Sequence, residues 1–135
     1  MGRTVIYADA NVIIRLIEGD LAARAPLEAR LLPLRGSGRF LLTSQLSRLE
    51  CRTKPMREGN GSLLALYDAF FVGAEVEVLP LSNAVVDKAT ELRAALKVKT
   101  PDALHLAAAI VFGATAFLTG DKALVRCKEI SIEIL

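Results

Sequence analysis

Short apolar runs alternate with stretches of helical periodicity along the whole chain, and this alternation limits the possible folds more than any other feature. Helix-forming segments separate runs that are typical of buried or half-buried strands. The five predicted strands are Thr4–Asp9, Arg39–Thr43, Glu75–Leu79, Ala114–Leu118 and Ile130–Leu135. Strands that alternate with helices form a parallel sheet covered by helices on both faces. We therefore expect an α/β fold with a central parallel sheet of four to five strands.

The helices are predicted from apolar spacing and from residues that start or stop helices. The first is expected over Asn11–Glu18, and the last is a short helix over Lys122–Cys127. Predicted N-caps of the helices between them are Asp20, Ser62, Ser82 and Thr100. Pro55 is expected to end the helix SQLSRLECRTK.

Composition indicates one domain over residues 1–135. The chain is 53% hydrophobic, which is enough to build a core at this length. Its formal net charge is only +2, so any basic surface is local. Nine of the eleven arginines precede residue 60, an asymmetry that fits a phosphate-binding face or, equally well, a solvated polar face.

The cysteines and the hydropathy pattern predict a cytoplasmic protein without a membrane partner. Cys51 and Cys127 have no spacing typical of zinc sites or disulfide frameworks. The N-terminus lacks the features of a signal peptide. The run from Ala103 to Gly120 is uncharged over 18 residues, the lower limit for crossing a bilayer. Because Gly113 interrupts it, we interpret it as a buried helix, a turn and a strand.

Four acidic residues are predicted to lie at one edge of the sheet. Asp9 ends the first strand, and Glu50 follows the second strand by about two helical turns. Asp102 opens a helix, and Asp121 follows the fourth strand in the turn TGD. In open α/β sheets the binding crevice lies beyond the carboxyl ends of the strands. We therefore expect these carboxylates to meet there.

Each acid also has a simple structural explanation when it is considered alone. These are a helix cap for Asp9, favourable charge at a helix N-terminus for Asp102, a cap for Asp121 and an ion pair with Lys54 for Glu50. The explanation for Glu50 is the weakest, because Glu50 shares a predicted helical face with Leu46 and Leu49.

Together, the four acids indicate a metal site. Converging carboxylates repel one another unless a cation compensates them, and a hard ion such as Mg²⁺ or Mn²⁺ suits oxygen ligands. Such a site supports metal-assisted displacement at phosphorus. A phosphodiester substrate would also account for the arginines.

These motifs resemble those of a known family. Asp9 in YADAN, Glu50 in SRLEC, Asp102 in TPDALHLAAAI and Asp121 in FLTGD are similar to the acidic quartet of PIN-domain nucleases. The likeness extends from Val5 to the final strand and is greatest to VapC-type toxins of toxin–antitoxin pairs. It implies a single-domain, PIN-like (Rossmann-like) fold and endonucleolytic cleavage of RNA with Mg²⁺ or Mn²⁺. It also implies a homodimer and a cognate VapB-like antitoxin that covers the active site.

The resemblance assigns roles to individual residues. Asp9, Glu50, Asp102 and Asp121 would be catalytic, with the metal on Asp9 and Asp102 and with Glu50 and Asp121 binding it directly or through water. Thr119 stands where the family has a hydroxyl near the fourth acid, and it could orient metal-bound water.

Several other polar residues are candidates for supporting roles. Asn11 either supports the first carboxylate, contacts substrate or begins a helix. Arg15, Arg48 and Arg52 are candidates for substrate binding. His105 lies three residues after Asp102 on the same helical face, and we expect a buried supporting histidine because metal-activated water needs no histidine base.

Two other functions remain open from the sequence. The same site could serve a housekeeping RNA-processing nuclease or a flap-type nuclease. Alternatively, the chain is a non-catalytic protein-binding α/β module, whose acids cap helices or hold an arginine of a partner.

Overall fold

The computed structural model describes residues 3–135. In this range five strands alternate with six α-helices. The strands are β1 (Ile6–Ala8), β2 (Leu41–Ser44), β3 (Val76–Leu79), β4 (Ala116–Thr119) and β5 (Ile132–Ile134). The α-helices are α1 (Ala10–Glu18), α2 (Leu21–Leu31), α3 (Gln45–Arg57), α4 (Gly61–Phe71), α5 (Asn83–Leu96) and α6 (Thr100–Val111). Short 3₁₀ helices follow at Leu32–Leu34 and Lys122–Arg126.

The strands form one parallel sheet in the order β3-β2-β1-β4-β5, which confirms the predicted fold class. β1 lies at the centre, where Ile6 is paired with Leu41 on one side and Ala116 on the other. The chain leaves β1 towards β2 and β3, and returns to the other side of β1 for β4. Strand order therefore reverses at β1, which is where a parallel sheet opens a crevice.

Side chains of successive strand residues enter opposite faces of the sheet. Tyr7 points to a core that it shares with α5 and α6, where Leu92 and Leu106 are buried. Ile6 and Ala8 point to the other core, which α1 to α4 cover.

Two of the predicted N-caps are confirmed and two are wrong. Asp20 accepts a hydrogen bond from the Ala23 N–H, and Ser82 caps α5. Asn60 replaces Ser62 as the cap of α4, because its side chain is placed to accept from the backbone of Leu63. Thr100 is already the first residue of α6, with Lys99 before it and no side-chain cap.

Pro55 does not end α3, contrary to the prediction. The helix continues to Arg57, and Pro55 is one of its buried residues. A proline removes one backbone donor. Because Pro55 lies only two residues before the end of α3, the missing hydrogen bond affects only the last turn of the helix.

The uncharged run from Ala103 to Gly120 folds as predicted into the body of α6, a turn and β4. Gly113 makes the turn with φ of 78°, a left-handed conformation that suits glycine. Between residues 3 and 135, no helix has both the length and the apolar character needed to cross a membrane.

Candidate active site

Asp9 lies directly after β1 and is 7% exposed. Its Oδ1 accepts a hydrogen bond of 3.0 Å from the Val12 N–H, so Asp9 is the N-cap of α1. Its Oδ2 accepts a hydrogen bond of 2.8 Å from the Thr119 hydroxyl. Burial raises the pKa of Asp9, although these two hydrogen bonds oppose the shift. Capping and membership of the acidic site are thus compatible for this residue.

Thr119 connects Asp9 to the loop that carries Asp121. It is buried at the end of β4, and its Oγ1 accepts a hydrogen bond of 3.1 Å from the Asp121 N–H. The exposed Asp121 side chain accepts from the Ala123 N–H at 2.9 Å and caps the 3₁₀ helix. The predicted capping role of Asp121 is therefore real, and it occurs within reach of the other acids.

Asp102 lies in the first turn of α6 and is partly buried. Burial raises its pKa, and the negative charges of Asp121 and Asp9 raise it further. His105 and Lys99 act in the opposite direction. Three carboxylates are therefore close enough to repel one another, which is the condition that a bound cation would relieve.

Glu50, on α3, approaches the same cleft from the other side of β1. Its Oε1 lies 2.7 Å from Nε2 of His105, whose side chain is buried. His105 is therefore buried, as the sequence predicts. Its Nδ1 lies 2.8 Å from the Tyr7 hydroxyl.

One small cleft of about 50 Å³ brings together three of the four predicted acids. Its lining consists of Asp9, Ala10, Asn11, Glu50, Pro101, Asp102 and His105. Asp121 is outside this lining but is linked to it through Thr119 and through its charge on Asp102. The volume suits one or two water molecules or a small ion rather than an organic cofactor.

The chemistry of the cleft fits a hard divalent cation, because carboxylate oxygens dominate its ligands and their charge is only partly compensated. Among residues 3–135, however, no three His, Cys, Asp or Glu side chains already converge as a metal-binding group. The Oε1 atom of Glu50 is engaged by His105, and both oxygens of Asp9 accept hydrogen bonds. Each carboxylate oxygen has two lone pairs, so these oxygens could still bind an ion if the side chains rotated towards it.

The sequence argument for Glu50 was wrong in its reason. Leu49, expected on a buried face with Glu50, is 62% exposed, and the buried positions of α3 are Ser47, Cys51 and Pro55. Within the described chain, Glu50 contacts Nε2 of His105 and does not pair with Lys54. A signal for the contact between Tyr7 and His105 was present, since a tyrosine hydroxyl in a buried strand needs a polar partner.

Two of the three candidate arginines already have protein partners. Arg15 donates to the backbone carbonyls of Ala23 at 2.9 Å and Leu135 at 2.6 Å. Arg52 lies 3.0 Å from Asp68 Oδ1. Arg48 lines a groove along the outer side of α3. Substrate binding by these arginines stays a prediction.

The family model of the PIN domain matches residues 6–130. No curated protein sequence gives a significant match. Among solved structures, the DNA-bound VapBC of Salmonella typhimurium aligns with a TM-score of 0.79 and 18% identity over 98% of both chains. VapBC2 from Rickettsia felis, bound to a DNA fragment from its promoter, aligns with a TM-score of 0.73 and 18% identity over 97% of this chain and 98% of that one.

A third similar structure is VapC20 of Mycobacterium tuberculosis, described as a toxin that cleaves the sarcin–ricin loop. It aligns with a TM-score of 0.64 and 19% identity over 83% of this chain and 86% of that one. At such low sequence identities, these structures support a shared fold and nothing more. The family model covers most of the chain, so this protein belongs to the PIN domain family.

Proposed function

We propose that this protein is an endoribonuclease that hydrolyses phosphodiester bonds of RNA with Mg²⁺ or Mn²⁺. The observation that carries the proposal is the cleft shared by Asp9, Glu50 and Asp102, with Asp121 beside Asp102. A bound ion would activate water, neutralise phosphate charge and stabilise the leaving oxygen.

We assign different roles to the residues in and beside the cleft. Asp9 and Asp102 would hold the ion, and Glu50 and Asp121 would bind it directly or through water. Thr119 fixes the Asp9 carboxylate through its hydroxyl and the Asp121 loop through its oxygen.

Asn11 is exposed at the cleft and does not cap α1, since Asp9 does. It is therefore available to contact substrate or to support the carboxylates. Of the three arginines we favour Arg48 as the phosphate-binding residue, because Arg15 and Arg52 are already engaged by protein atoms.

We further propose that the protein is the toxin of a toxin–antitoxin pair and inhibits translation or growth. The support is the fold that this chain shares with chains of VapBC complexes and with VapC20, a toxin that cleaves the sarcin–ricin loop. The partner would be a VapB-like antitoxin that covers the cleft. A homodimer and a cytoplasmic location belong to the same proposal.

Cleavage of a structured RNA tests the reaction. The wild-type protein is expected to cut in the presence of Mn²⁺ and to stop when the ion is chelated. Asp9→Asn is expected to lower the rate at least roughly 100-fold, because it removes a metal-binding charge. Asp20→Asn is the matched control, since Asp20 caps α2 outside the cleft.

The outcomes separate the alternatives. Cleavage that survives both Asp9→Asn and chelation contradicts the mechanism. A protein that binds no Mn²⁺ in calorimetry and cuts no RNA is instead a non-catalytic protein-binding module. Metal-dependent cleavage of precursor RNA without growth inhibition would indicate a housekeeping nuclease.

A further inference from the structure

A chain of polar groups runs from the end of β2 through the core to the cleft. The Tyr7 hydroxyl lies 2.8 Å from Ser44 Oγ and 2.8 Å from His105 Nδ1. On the other side of the imidazole, Nε2 lies 2.7 Å from Glu50 Oε1. Both ring nitrogens of His105 are therefore engaged.

The chemistry of Glu50 determines where the imidazole carries a proton. A carboxylate only accepts hydrogen bonds, so Nε2 of His105 must be the donor. The Tyr7 hydroxyl lies at the opposite ring nitrogen, Nδ1, so the imidazole has a partner on that side as well.

Packing prevents the imidazole from moving away from Glu50. Tyr7 stacks on Phe117 with ring centroids 5.2 Å apart and an interplanar angle of 9°. It also meets the edge of His105 at 5.8 Å. Tyr7, Phe117 and His105 are all almost fully buried.

Glu50 depends on this contact for its orientation. Its side chain is 32% exposed, and its neighbour Leu49 points to solvent. Across residues 3–135, the hydrogen bond from His105 is the one that Glu50 receives. Without it, the flexible Glu50 side chain would be free to leave the cleft for solvent.

We propose that His105 is a positioning residue that holds the Glu50 carboxylate at the cleft through its Nε2–H, with Tyr7 fixing the ring. The inference rests on the proposed function, since a carboxylate held there serves a divalent ion. It assigns roles to His105 and Tyr7, neither of which is proposed as a metal ligand.

Two conservative substitutions separate the two ends of the imidazole. The amide of His105→Gln can reproduce the donor at Nε2, whereas that of His105→Asn reproduces only the position of Nδ1. The Kd for Mn²⁺, measured by calorimetry on the full chain, is expected to rise roughly 10- to 100-fold in His105→Asn. It is expected to stay within a few-fold of wild type in His105→Gln.

Leu106→Ala controls for loss of stability, because Leu106 is fully buried on the same helix without taking part in the polar chain. Its Kd for Mn²⁺ is expected to match that of the wild type. Equal affinity in the Asn and Gln variants, whether both weak or both unchanged, overturns the inference while leaving the metal-dependent function intact.

A measurement without metal distinguishes failure of the inference from failure of the proposed function. His105 is the single histidine of the chain, so its ring nitrogens give unambiguous ¹⁵N resonances. The metal-free protein is expected to show a protonated Nε2 whose resonance and proton protection change in Glu50→Ala. No change in that variant overturns the inference. If the contact is detected but the wild type binds no Mn²⁺, the proposed function fails and the positioning role fails with it.

Discussion

At the scale of single residues, Asp9 combines two demands that usually fall on different side chains. It caps α1 through Oδ1 and faces the other acids at the cleft. Burial disfavours its charge, as the raised pKa records. In the folded protein without an ion, the ionised Asp9 carboxylate is therefore destabilising. A bound cation would stabilise this charged form.

Asp9→Asn is expected to raise the melting temperature of the metal-free protein by a few degrees at neutral pH. Asparagine is as good an N-cap as aspartate, and its amide nitrogen can donate to the Thr119 oxygen where Oδ2 of Asp9 accepts, so both contacts are retained while the buried charge is lost. Because the folded-state pKa of Asp9 lies above its unfolded value, the wild type loses stability as the pH rises through that interval. The advantage of the variant should vanish below about pH 3.9, where the wild-type carboxyl is also neutral.

Thermal unfolding followed by circular dichroism in a chelator, from pH 3 to pH 7, checks this. A variant that is less stable than the wild type at neutral pH would contradict the argument. Added Mn²⁺ should then stabilise the wild type and leave Asp9→Asn unchanged.

Thr119→Val is expected to lower the free energy of unfolding by about 1.5–3 kcal/mol, since Thr119 donates to a charged, buried carboxylate. Thr43→Val is the matched control. Thr43 is equally buried, but it donates to the neutral carbonyl of Ala8 at 2.9 Å, so about 1 kcal/mol is expected. Urea denaturation of both variants measures the difference. Equal losses would show that Asp9 is not the dominant partner of Thr119.

At the scale of elements, the N-terminus of a helix was predicted correctly where a single residue can serve as its N-cap. The prediction failed where two neighbouring residues are both suitable. Asp20 and Ser82 cap the helices that immediately follow them. At α4, Asn60 and Ser62 are both suitable N-caps, and the helix begins after the earlier one, Asn60. At α6, Pro101 fits the first turn, so the helix begins one residue before it.

Lys97→Gly is expected to stabilise the protein by about 0.5–1 kcal/mol. Lys97 ends α5 with φ of 56° and ψ of 32°, a left-handed conformation in which a Cβ is strained and glycine is not. Glu58→Gly is the matched control, because Glu58 ends α3 with φ of −87°, where glycine relieves no strain and only raises the entropy of the unfolded chain. Urea denaturation should move the two variants in opposite directions. Destabilisation by Lys97→Gly would show that the Lys97 side chain makes compensating contacts.

At the scale of the whole molecule, sheet order determines which acids meet. β1 is flanked by β2 and β4, so Asp9 comes close to the helix after β2 and the loop after β4. The outer strand β5 is held by a different contact. Glu133 accepts two hydrogen bonds from Arg30 of α2, at 2.7 and 2.9 Å, across 103 positions of sequence.

Glu133→Gln is expected to cost about 0.2–1 kcal/mol at neutral pH, since both partners are 31% exposed and solvent screens the pair. The hydrogen bonds from Arg30 hold the pKa of Glu133 below its ordinary value. The stabilisation is thus present above the unfolded pKa, near 4.3, and is lost as the pH falls through the folded pKa. Glu28→Gln is a control, because the Arg24–Glu28 pair is longer at 3.7 Å. A pH-independent difference between wild type and Glu133→Gln, in thermal unfolding at pH 7 and pH 3, would contradict this account.

The sequence by itself determined the α/β class, the approximate positions of the five strands and the presence of acids after three of them. These follow from local periodicity and from the rule that parallel strands end at one edge. Asp9 and Glu50, which follow the neighbouring strands β1 and β2, could therefore be predicted as neighbours, even though the reason given for Glu50 failed.

Tertiary structure decided which partner each polar group meets. Tyr7 and His105 lie 98 positions apart, and Arg15 and the carbonyl of Leu135 lie 120 positions apart. Nothing local distinguishes an arginine that faces substrate from one that ties down a backbone carbonyl. Hydrogen bonds act over about 3 Å, so such pairings depend on how helices pack across the sheet rather than on any spacing along the chain.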